Sequence, residues 1–206
     1  MSITLSTDEQ RVSYGFGLQF GQQLLRNQFD GLDAELVAAG IQDIVNQQKI
    51  QVSEQELNAA FTAVQAKIEQ QQAQKAKQMK ELGITFLAEN AKRDGVTVLA
   101  SGLQYEVLES GTGASPTADS TVQTHYHGTM IDGTVFDSSV ERGEPATFGV
   151  GQVIAGWTEA LQLMKTGDKW RVFLPADLAY GDNGAPPSIP GGSALVFEIQ
   201  LLDIVA

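Results

Sequence analysis

Residues 125–139 read His-Tyr-His-Gly-Thr-Met-Ile-Asp-Gly-Thr-Val-Phe-Asp-Ser-Ser, with a turn dipeptide between two segments that are typical of strands. Asp132-Gly133 is a strong signal for a hairpin turn. The stretch therefore predicts two antiparallel strands. It also places Asp137 directly after an aromatic residue, just beyond the hairpin. From this position alone, Asp137 is a catalytic acid, a metal ligand or a surface turn residue.

Other strand-like segments occur throughout the C-terminal half of the chain. In these segments apolar and polar residues alternate, or all residues are apolar. Together with the hairpin, the segments cover residues 103–108, 122–131, 134–138, 169–174 and 194–205. Residues 156–164 form the best helical pattern in this half, with Trp157, Leu161 and Met164 on one face. An antiparallel sheet packed against one helix is an α+β arrangement, and this is the fold class that we predict.

The first half of the chain has a different composition. Residues 1–95 contain no proline and carry a charge of −3, whereas the remainder contains all six prolines and carries −9. Apolar spacing and capping-box pairs such as Ser53 with Glu56 predict three helices, covering residues 7–27, 33–48 and 53–94. At ~1.5 Å rise per residue the third would be about 60 Å long, which is too long for the interior of a small domain.

The long helix predicts a chain of three parts. Its middle, residues 69–78, is polar on all faces, as expected for a helix that bridges two bodies through solvent. We therefore predict an all-helical dimerisation domain over residues 1–52, a connecting helix over 53–95 and a globular domain over 96–206. Two short helices leave a thin core, so a homodimer through the first two helices is the economical interpretation, and a closed monomeric bundle is the alternative.

Two glycines in the first helix bear on the same question. Gly17 and Gly21 lie on one face with Tyr14 and Leu24, and a glycine costs ~1 kcal/mol in a helix interior unless something compensates. Close approach of a second helix would compensate for that cost. A bend or a frayed helix is the other interpretation.

The composition of the 206 residues excludes several classes of function. The net charge of −12 and pI of about 4.4 disfavour nucleic acid and anionic membranes as partners. There are no cysteines, so disulfides and thiolate chemistry are excluded. The N-terminus lacks the pattern of a secretory signal, and no stretch approaches the ~20 apolar residues of a membrane span. We expect a soluble cytoplasmic protein, or a mature form whose signal was removed.

The usual catalytic signatures are missing as well. The chain has no G-x-S-x-G, P-loop, G-x-G-x-x-G or H-E-x-x-H motif. His125 and His127 point to the same face of a strand, but two imidazoles without a third ligand make a weak metal site, so we predict neither a metal nor a cofactor. Many aromatic residues are spread along the strands of the C-terminal half, where they form part of the core or the wall of a pocket. The proline-rich loop over residues 182–193 frames a site or is a disordered excursion.

At this point several motifs resemble one family. The matching runs lie in the family's order over roughly residues 100–206, and they are His125-Tyr126-x-Gly128, residues 132–139, Val153-Ile154-x-Gly156-Trp157, Ala179-Tyr180-Gly181 and residues 195–202. They resemble the FKBP family of peptidyl-prolyl cis-trans isomerases, which bind immunosuppressant macrolides. The helical first half resembles the subgroup of macrophage infectivity potentiator proteins, which form V-shaped homodimers through their N-terminal halves.

The resemblance implies a five- or six-stranded antiparallel sheet wrapped around one short helix, with a pocket between them. It implies that Trp157 forms the pocket floor, and that the Ile154 backbone N–H and the Tyr180 hydroxyl are the polar contacts to ligand. The catalytic residues that we expect are Phe136, Asp137, Trp157 and Tyr180. The substrate-binding residues that we expect are Tyr126, Phe148, Val153, Ile154, Ile189 and Phe197.

Three positions depart from the commonest pattern of the family: Ala146, Ala185 and Ser188. They bear on macrolide binding more than on isomerisation. We expect Asp137 to order neighbouring groups without transferring a proton, and a turn carboxylate that caps backbone groups of residues 138–139 is the alternative. The expected substrates are unfolded or partly folded proline-containing polypeptides. A holdase-type chaperone or peptide-binding adaptor, in which the pocket only binds, is the competing function.

Overall fold

The computed structural model of the protein describes residues 4–26 and 29–205. The chain divides into two compact units, the first ending at Glu69 and the second beginning at Gln70. Five helices lie in the described residues: α1 (Asp8–Arg26), α2 (Ala34–Val45), α3 (Glu54–Asn90), α4 (Ser139–Arg142) and α5 (Ala155–Leu163). None of them combines the length and the apolar character needed to cross a bilayer.

The predicted helix starts of the first unit are confirmed by their capping hydrogen bonds. The Asp33 carboxylate accepts from the backbone N–H groups of Glu35 and Leu36 at 2.8 and 3.1 Å, which satisfies two of the free donors at the start of α2. At the start of α3, the Ser53 N–H donates to the Glu56 carboxylate at 2.9 Å, and the Glu56 N–H donates back to the Ser53 hydroxyl at 3.2 Å. The predicted end of the first helix, residue 27, lies outside the described residues.

The first unit has no packed interior of its own. Neither α1 nor α2 contains a buried residue among the residues described. The face of α1 with Gly17 and Gly21, where close approach of a second helix was one interpretation, is also open. Nothing lies within 4 Å of a Cβ built on either glycine. The helices are therefore formed and capped, but their apolar faces have no cover within this unit.

The long helix α3 has 37 residues and ends at Asn90, four residues before the predicted end at Asp94. A buried amide pair accounts for the difference. The Asn90 side chain donates to the Gln104 side chain at 2.8 Å, and Gln104 donates to the Leu87 carbonyl at 2.9 Å. These bonds join the last turn of α3 to the sheet, and they come from side chains with no helix-stop signature in the sequence.

In the described part of the chain, seven antiparallel strands form one sheet. They are β1 (Val96–Val98), β2 (Gln104–Glu109), β3 (Thr121–Met130), β4 (Val135–Ser138), β5 (Ala146–Gly149), β6 (Lys169–Leu174) and β7 (Leu195–Ile204). The order across the sheet is β1-β2-β6-β7-β3-β4, with β5 also paired to β3. The five predicted strands are present. The prediction missed β1, β5 and the one-turn helix α4, because three or four residues are too few to show a period.

The predicted hairpin turn is present between β3 and β4. Gly133 has φ +88°, and the Met130 N–H donates to the Thr134 carbonyl at 2.9 Å. Beyond the turn, β3 alternates half-buried and buried residues along its whole length. The face with Tyr126 and Gly128 is directed to the core, and the face with the two histidines is directed outward.

The sheet wraps around α5, and the core of the protein lies between them. The Trp157, Ala160 and Leu161 side chains of α5 are buried against strand residues such as Val172 and Ile199. The helix comes close to the sheet at Gly156, where a Cβ would collide with the Leu174 side chain. This close packing fixes the start of α5, where the predicted pocket floor lies.

The division of the chain differs from the predicted boundary at residue 96. The second unit includes α3 from Gln70 onward. A Cβ on Gly83 would lie 2.9 Å from the Ala194 Cβ, so this part of α3 packs directly on the sheet domain. The sequence pattern did not predict this contact. Glycine and alanine make it without a long apolar stripe, and residues 69–78 just before it are polar.

Candidate functional site

A cavity of about 500 Å³ opens between α5, β3, β4, β7 and the loop over residues 182–193. Its size is within the range of small-molecule and peptide-residue sites. It brings together all ten residues that we expected at the site: Tyr126, Phe136, Asp137, Phe148, Val153, Ile154, Trp157, Tyr180, Ile189 and Phe197. Gln152, Ala185 and Ser188 complete the lining. Ala146 packs against the core beside the cavity and is not part of the lining.

The walls of this cavity are aromatic rings in edge-to-face contact. Trp157 packs against Phe197 with ring centroids 5.4 Å apart and against Phe148 at 5.6 Å, and Phe136 packs against Phe197 at 5.5 Å. Such T-shaped pairs hold each ring in one orientation. The Trp157 side chain is only 4% exposed and lies at the first turn of α5. The result is a rigid apolar hollow with Trp157 at its buried end.

Gly128 makes room for two of these rings. A Cβ at this position would lie 2.7 Å from the Phe136 ring and 2.9 Å from the Phe197 ring, both closer than real Cβ contacts. The residue lies in the middle of β3, where glycine otherwise weakens a strand. Its place in the His-Tyr-x-Gly motif is therefore explained by the packing of the pocket wall.

Polar groups occupy one side of the cavity mouth. The Tyr126 hydroxyl donates to one oxygen of the Asp137 carboxylate, and the Arg142 guanidinium donates to the other. Arg142 also donates to the Tyr126 hydroxyl oxygen at 2.9 Å, and its charged carbon lies 5.6 Å from the centre of the Tyr126 ring. Asp137, Tyr126 and Arg142 thus form a closed triangle of hydrogen bonds.

Arg142 is the functional candidate that the sequence analysis missed. It is brought to the site by α4, whose N-cap is the Ser138 side chain, accepting from the Glu141 N–H at 3.2 Å. Gly143 ends this single turn with φ +74°. The signal that could have found it is a serine cap followed by a glycine stop, which places residue 142 one turn from Asp137.

These contacts shift two pKa values in opposite directions. Burial pulls the pKa of Asp137 upward, but the hydrogen bonds from Tyr126 and Arg142 and the charge of Arg142 outweigh it, so the pKa lies below the usual value. Burial raises the pKa of Tyr126, and the hydrogen bond to Asp137 raises it further. At neutral pH, Asp137 is therefore a carboxylate and Tyr126 a phenol, and neither is poised to exchange a proton.

The alternative role of Asp137, a turn carboxylate that caps residues 138–139, has less support in the geometry. The N-cap of α4 is Ser138, and the two carboxylate oxygens of Asp137 are directed to Tyr126 and Arg142. A hydrogen bond from the Ser138 backbone is the smallest of its stabilising contacts. The position of Asp137 is therefore set by side chains of the site.

Several polar groups that line the cavity have no protein partner among the described residues, including the buried indole N–H of Trp157. Among the described residues, no acceptor is found for the Ile154 backbone N–H, and no hydrogen bond is found for the Tyr180 hydroxyl. Ile154 is the N-cap residue of α5, and Tyr180 is 39% exposed at the cavity mouth. These are the two groups that the resemblance implies as polar contacts to ligand, and both are available.

The two histidines lie outside this cavity, on the outer face of β3. His125 Nδ1 lies 3.1 Å from the Ser139 hydroxyl, and His127 Nδ1 lies 3.0 Å from the Ser138 hydroxyl. They line a separate shallow depression together with Lys169 and Glu198 side chains. Within residues 4–26 and 29–205, no group of three or more metal-binding side chains occurs.

Comparisons with known proteins agree with this geometry. The sequence model described as FKBP-type peptidyl-prolyl cis-trans isomerase matches residues 113–202, and the one described as the domain amino terminal to it matches residues 9–107. The chain is 46% identical to the FKBP-type 22 kDa peptidyl-prolyl cis-trans isomerase of Escherichia coli over 202 residues, covering 98% of each.

Solved structures give the same picture. The crystal structure of FkpA from Escherichia coli superposes with a TM-score of 0.68 and 34% identity, covering 98% of both chains. A peptidyl-prolyl cis-trans isomerase from Pseudomonas syringae superposes with a TM-score of 0.59 and 40% identity. That match covers 63% of this chain and 95% of the Pseudomonas chain.

Proposed function

The chain belongs to the FKBP-type peptidyl-prolyl cis-trans isomerase family, and from this premise we propose how it acts. It catalyses rotation about X-Pro bonds of unfolded or partly folded chains. Its helical N-terminal unit forms a homodimer and holds these chains. The aromatic cavity supports the first part of this proposal. The uncovered apolar faces of α1 and α2 support the second part. The two parts are tested separately below.

The chemistry requires no nucleophile. Rotation about an X-Pro bond is slow because it breaks amide resonance, with an activation energy of about 20 kcal/mol. The twisted amide has lost conjugation, so its carbonyl is less polar than that of the planar form and loses less when it leaves water. An apolar cavity therefore stabilises the transition state more than the ground state.

The proposed roles of the residues follow from their positions. Phe136, Trp157 and Phe197 hold the proline ring between edge-to-face aromatic walls, with Tyr126, Phe148, Val153 and Ile189 completing the apolar surface. The Ile154 N–H and the Tyr180 hydroxyl donate to carbonyl groups of the peptide on either side of the bond. The peptide is thereby oriented while the prolyl bond itself remains in the apolar part of the cavity.

In this proposal Asp137 and Arg142 act through electrostatics and position. The ionised Asp137 keeps the Tyr126 hydroxyl occupied, so that this phenol does not compete for the peptide carbonyl. Arg142 balances the charge of the carboxylate at the cavity mouth. No proton is transferred at any step, which agrees with a pKa for Asp137 below its usual value and one for Tyr126 above it.

Client holding is assigned to the first unit because of its exposed apolar side chains. Phe16, Phe20, Leu36 and Ile44 are each more than half exposed, although residues of these types are among those most often buried. A homodimer through α1 and α2 would cover part of this surface. A client bound to the remainder would have its X-Pro bonds at a raised effective concentration near the cavities.

The test compares the full chain with a fragment that begins at Gln70. The fragment follows the observed division of the chain, in which residues from Gln70 onward form one compact unit. We expect equal turnover of a short X-Pro peptide by both proteins. For a substrate protein whose refolding is limited by X-Pro isomerisation, we expect the fragment to be a markedly weaker catalyst than the full chain. Equal refolding rates would remove the client-holding part of the proposal.

The competing function is a holdase or peptide-binding adaptor, in which the cavity only binds. Full-length protein that suppresses aggregation without any peptide turnover would establish it. The unpaired Ile154 N–H and the fixed aromatic walls favour turnover, because a surface that merely holds chains needs neither.

Macrolide binding and a cytoplasmic location are further parts of the proposal. The cavity of about 500 Å³ accommodates part of a macrolide, with Ala185 and Ser188 leaving its outer wall open. A fluorescence titration of Trp157 with such a macrolide measures this directly, and an unchanged spectrum at saturating ligand contradicts it. The cytoplasmic location stays a prediction from the sequence.

A further inference from the structure

The C-terminal half of α3 contacts the loop that forms the outer wall of the cavity. We call residues 182–193 the pocket loop, because Ala185, Ser188 and Ile189 of this loop line the cavity. The loop directly follows Tyr180, the predicted polar contact to the peptide. Its two ends meet in a narrow neck, where the Gly192 N–H donates to the Gly181 carbonyl at 2.8 Å.

The neck of the pocket loop lies on the backbone of α3 without a layer of side chains between them. A Cβ on Gly191 would lie 3.2 Å from the Ala76 Cβ, and one on Gly192 would lie 3.2 Å from the Lys80 backbone nitrogen and would overlap the Ala76 carbonyl. Gly192 also has φ +73°, a conformation that other residues rarely adopt. Such direct contact requires glycine on the loop and a small side chain at position 76.

Lys80 adds an electrostatic contact on the same turn of α3. Its ammonium group lies 3.3 Å from the Asp177 carboxylate and 3.6 Å from the Asp182 carboxylate. Asp177 precedes Tyr180 and Asp182 begins the pocket loop, so one cation joins the two segments that flank Tyr180. Because the three side chains are largely exposed, these ion pairs orient the loop more than they stabilise the fold.

The interior of the pocket loop is ordered by its own hydrogen bonds. The Ala185 N–H donates to the Ile189 carbonyl at 2.8 Å, and the Ile189 N–H donates to the Ala185 carbonyl at 3.0 Å. These bonds pair the two sides of the loop above its neck. The Ile189 side chain that they position is buried in the cavity wall.

We propose that Ala76 and Lys80 of α3 are positioning residues for the isomerase reaction, which hold the neck of the pocket loop so that its wall and Tyr180 face the substrate. The connecting helix is thus part of the active site's support as well as a spacer between two units. This inference rests on the isomerase activity proposed above. It adds a role for the C-terminal half of α3, whereas the sequence analysis described this helix only as a connection with a solvent-bridging middle over residues 69–78.

The main test is an Ala76→Leu variant of the full-length protein. The added side chain pushes the Gly191–Gly192 backbone away from α3, so we expect kcat/KM for a short X-Pro peptide to fall about tenfold. The loss is expected mainly in KM, since the loop wall contacts the peptide in the ground state and in the transition state alike. The matched control is Ala73→Leu, one turn earlier on the exposed surface of the same helix.

A second pair of variants keeps the test informative if Ala76→Leu does not fold. Lys80→Glu places a third carboxylate beside Asp177 and Asp182, and we expect about a threefold loss of kcat/KM, which Lys80→Arg should restore. Lys77→Glu makes the same charge change at an exposed position for which no ion pair is found in the part of the chain that is described. We expect this control to behave as the wild type.

The thermal unfolding midpoint of each variant separates positioning from loss of structure. Reduced turnover at a temperature where the variant is fully folded supports the proposal. Loss of turnover only in step with unfolding overturns it, as does turnover by Ala76→Leu and Lys80→Glu equal to that of their controls. A wild-type protein without any peptide turnover would instead contradict the proposed function, so the two failures are distinguishable.

Discussion

The two units of the protein differ in whether their apolar residues are buried. In the second unit the large aliphatic side chains of the core, such as Leu161 and Ile199, are fully buried between α5 and the sheet. In the first unit Phe16 and Leu36 are 57% and 71% exposed, and neither α1 nor α2 contains a buried residue among those described. One unit satisfies its own packing, and the other presents a surface of the kind that partners cover.

This difference shows where function can be assigned from one chain alone. A cavity is defined by the residues that surround it, so the second unit shows its candidate site complete, with walls, floor and available N–H group. The first unit consists of capped helices without a buried residue on α1 or α2 among those described, and most of the stability of helices in proteins comes from packing. We propose that its function lies in what it contacts, so variants in the two units should separate two kinds of measurement.

The largest effect that would sharpen this comparison is expected from Phe136→Ala. The change removes a ring that packs edge-to-face on Phe197 and lines the cavity, and contacts worth about 2 kcal/mol correspond to about a thirtyfold loss of kcat/KM for a short X-Pro peptide. Mass in solution should not change. A stopped-flow or coupled peptide assay measures the first quantity, and light scattering the second.

Phe86→Ala is the matched control for this variant. Phe86 is equally half-buried and packs on Phe173 with ring centroids 6.1 Å apart, but it lies outside the cavity. It should lose stability to a similar extent while it retains turnover at temperatures where it is folded. Equal turnover by the two variants would show that the cavity is not the site.

A smaller effect is expected from Arg142→Ala. The variant opens the triangle of Arg142, Asp137 and Tyr126, so the phenol and the carboxylate lose their fixed orientation, and we expect about a fivefold loss of kcat/KM. The free energy of unfolding should change by less than about 1 kcal/mol, because the ion pair is half-exposed. Arg171→Ala is the control, since Arg171 likewise pairs with carboxylates, those of Glu106 and Glu198, but on the outer face of the sheet. If Arg142→Ala turned over peptide as fast as this control, the triangle would have no part in turnover.

The sequence predicted the second unit better than the first for a physical reason. Long strands with alternating burial, such as β3, show a period that can be counted, and the turn at Asp132-Gly133 has a chemistry of its own. The family resemblance, carried by local motifs, implied eight of the ten cavity residues that were expected, all except Phe148 and Ile189. Local patterns of this kind are sufficient where each residue's environment is set within its own segment.

Contacts between distant segments were missed because no local pattern reports them. Arg142 bonds to the Tyr126 hydroxyl, which lies 16 residues earlier on β3, and Ala76 meets Gly192 across more than a hundred residues of chain. Asn90 ends α3 by bonding to Gln104 on the sheet. In each case a polar or small side chain makes the contact, and such residues contribute nothing to a hydrophobic period.

Dimerisation through the first unit is tested by Phe16→Glu combined with Phe20→Glu. These side chains lie one turn apart on α1 and are more than half exposed, so two carboxylates there would prevent burial in an interface. We expect the mass in solution to fall from twice 22.1 kDa to 22.1 kDa, with turnover of a short peptide unchanged. Sedimentation equilibrium measures the mass.

Gln19→Glu combined with Gln22→Glu is the control, because it adds the same charge to α1 without removing apolar surface. This variant should keep the mass of the wild type. A wild-type mass of 22.1 kDa would contradict the dimer and favour a closed monomer, and a loss of peptide turnover in the Phe16 and Phe20 variant would show that the second unit depends on the first.

The smallest effect is expected from pH, and it distinguishes a cavity that works by desolvation from one that works by proton transfer. The pKa of Asp137 is lowered, so its contribution to stability is present above the unfolded value of about 3.9 and is lost only as the pH falls through the still lower folded value. The pKa of Tyr126 is raised, so its contribution is present below the unfolded value of about 10 and is lost only as the pH rises through a still higher one. Peptide turnover should therefore vary by less than about twofold between about pH 6 and about pH 9. A bell-shaped profile with a midpoint in that range would require a general acid or base, and rotation aided by an apolar cavity alone would then be the wrong mechanism.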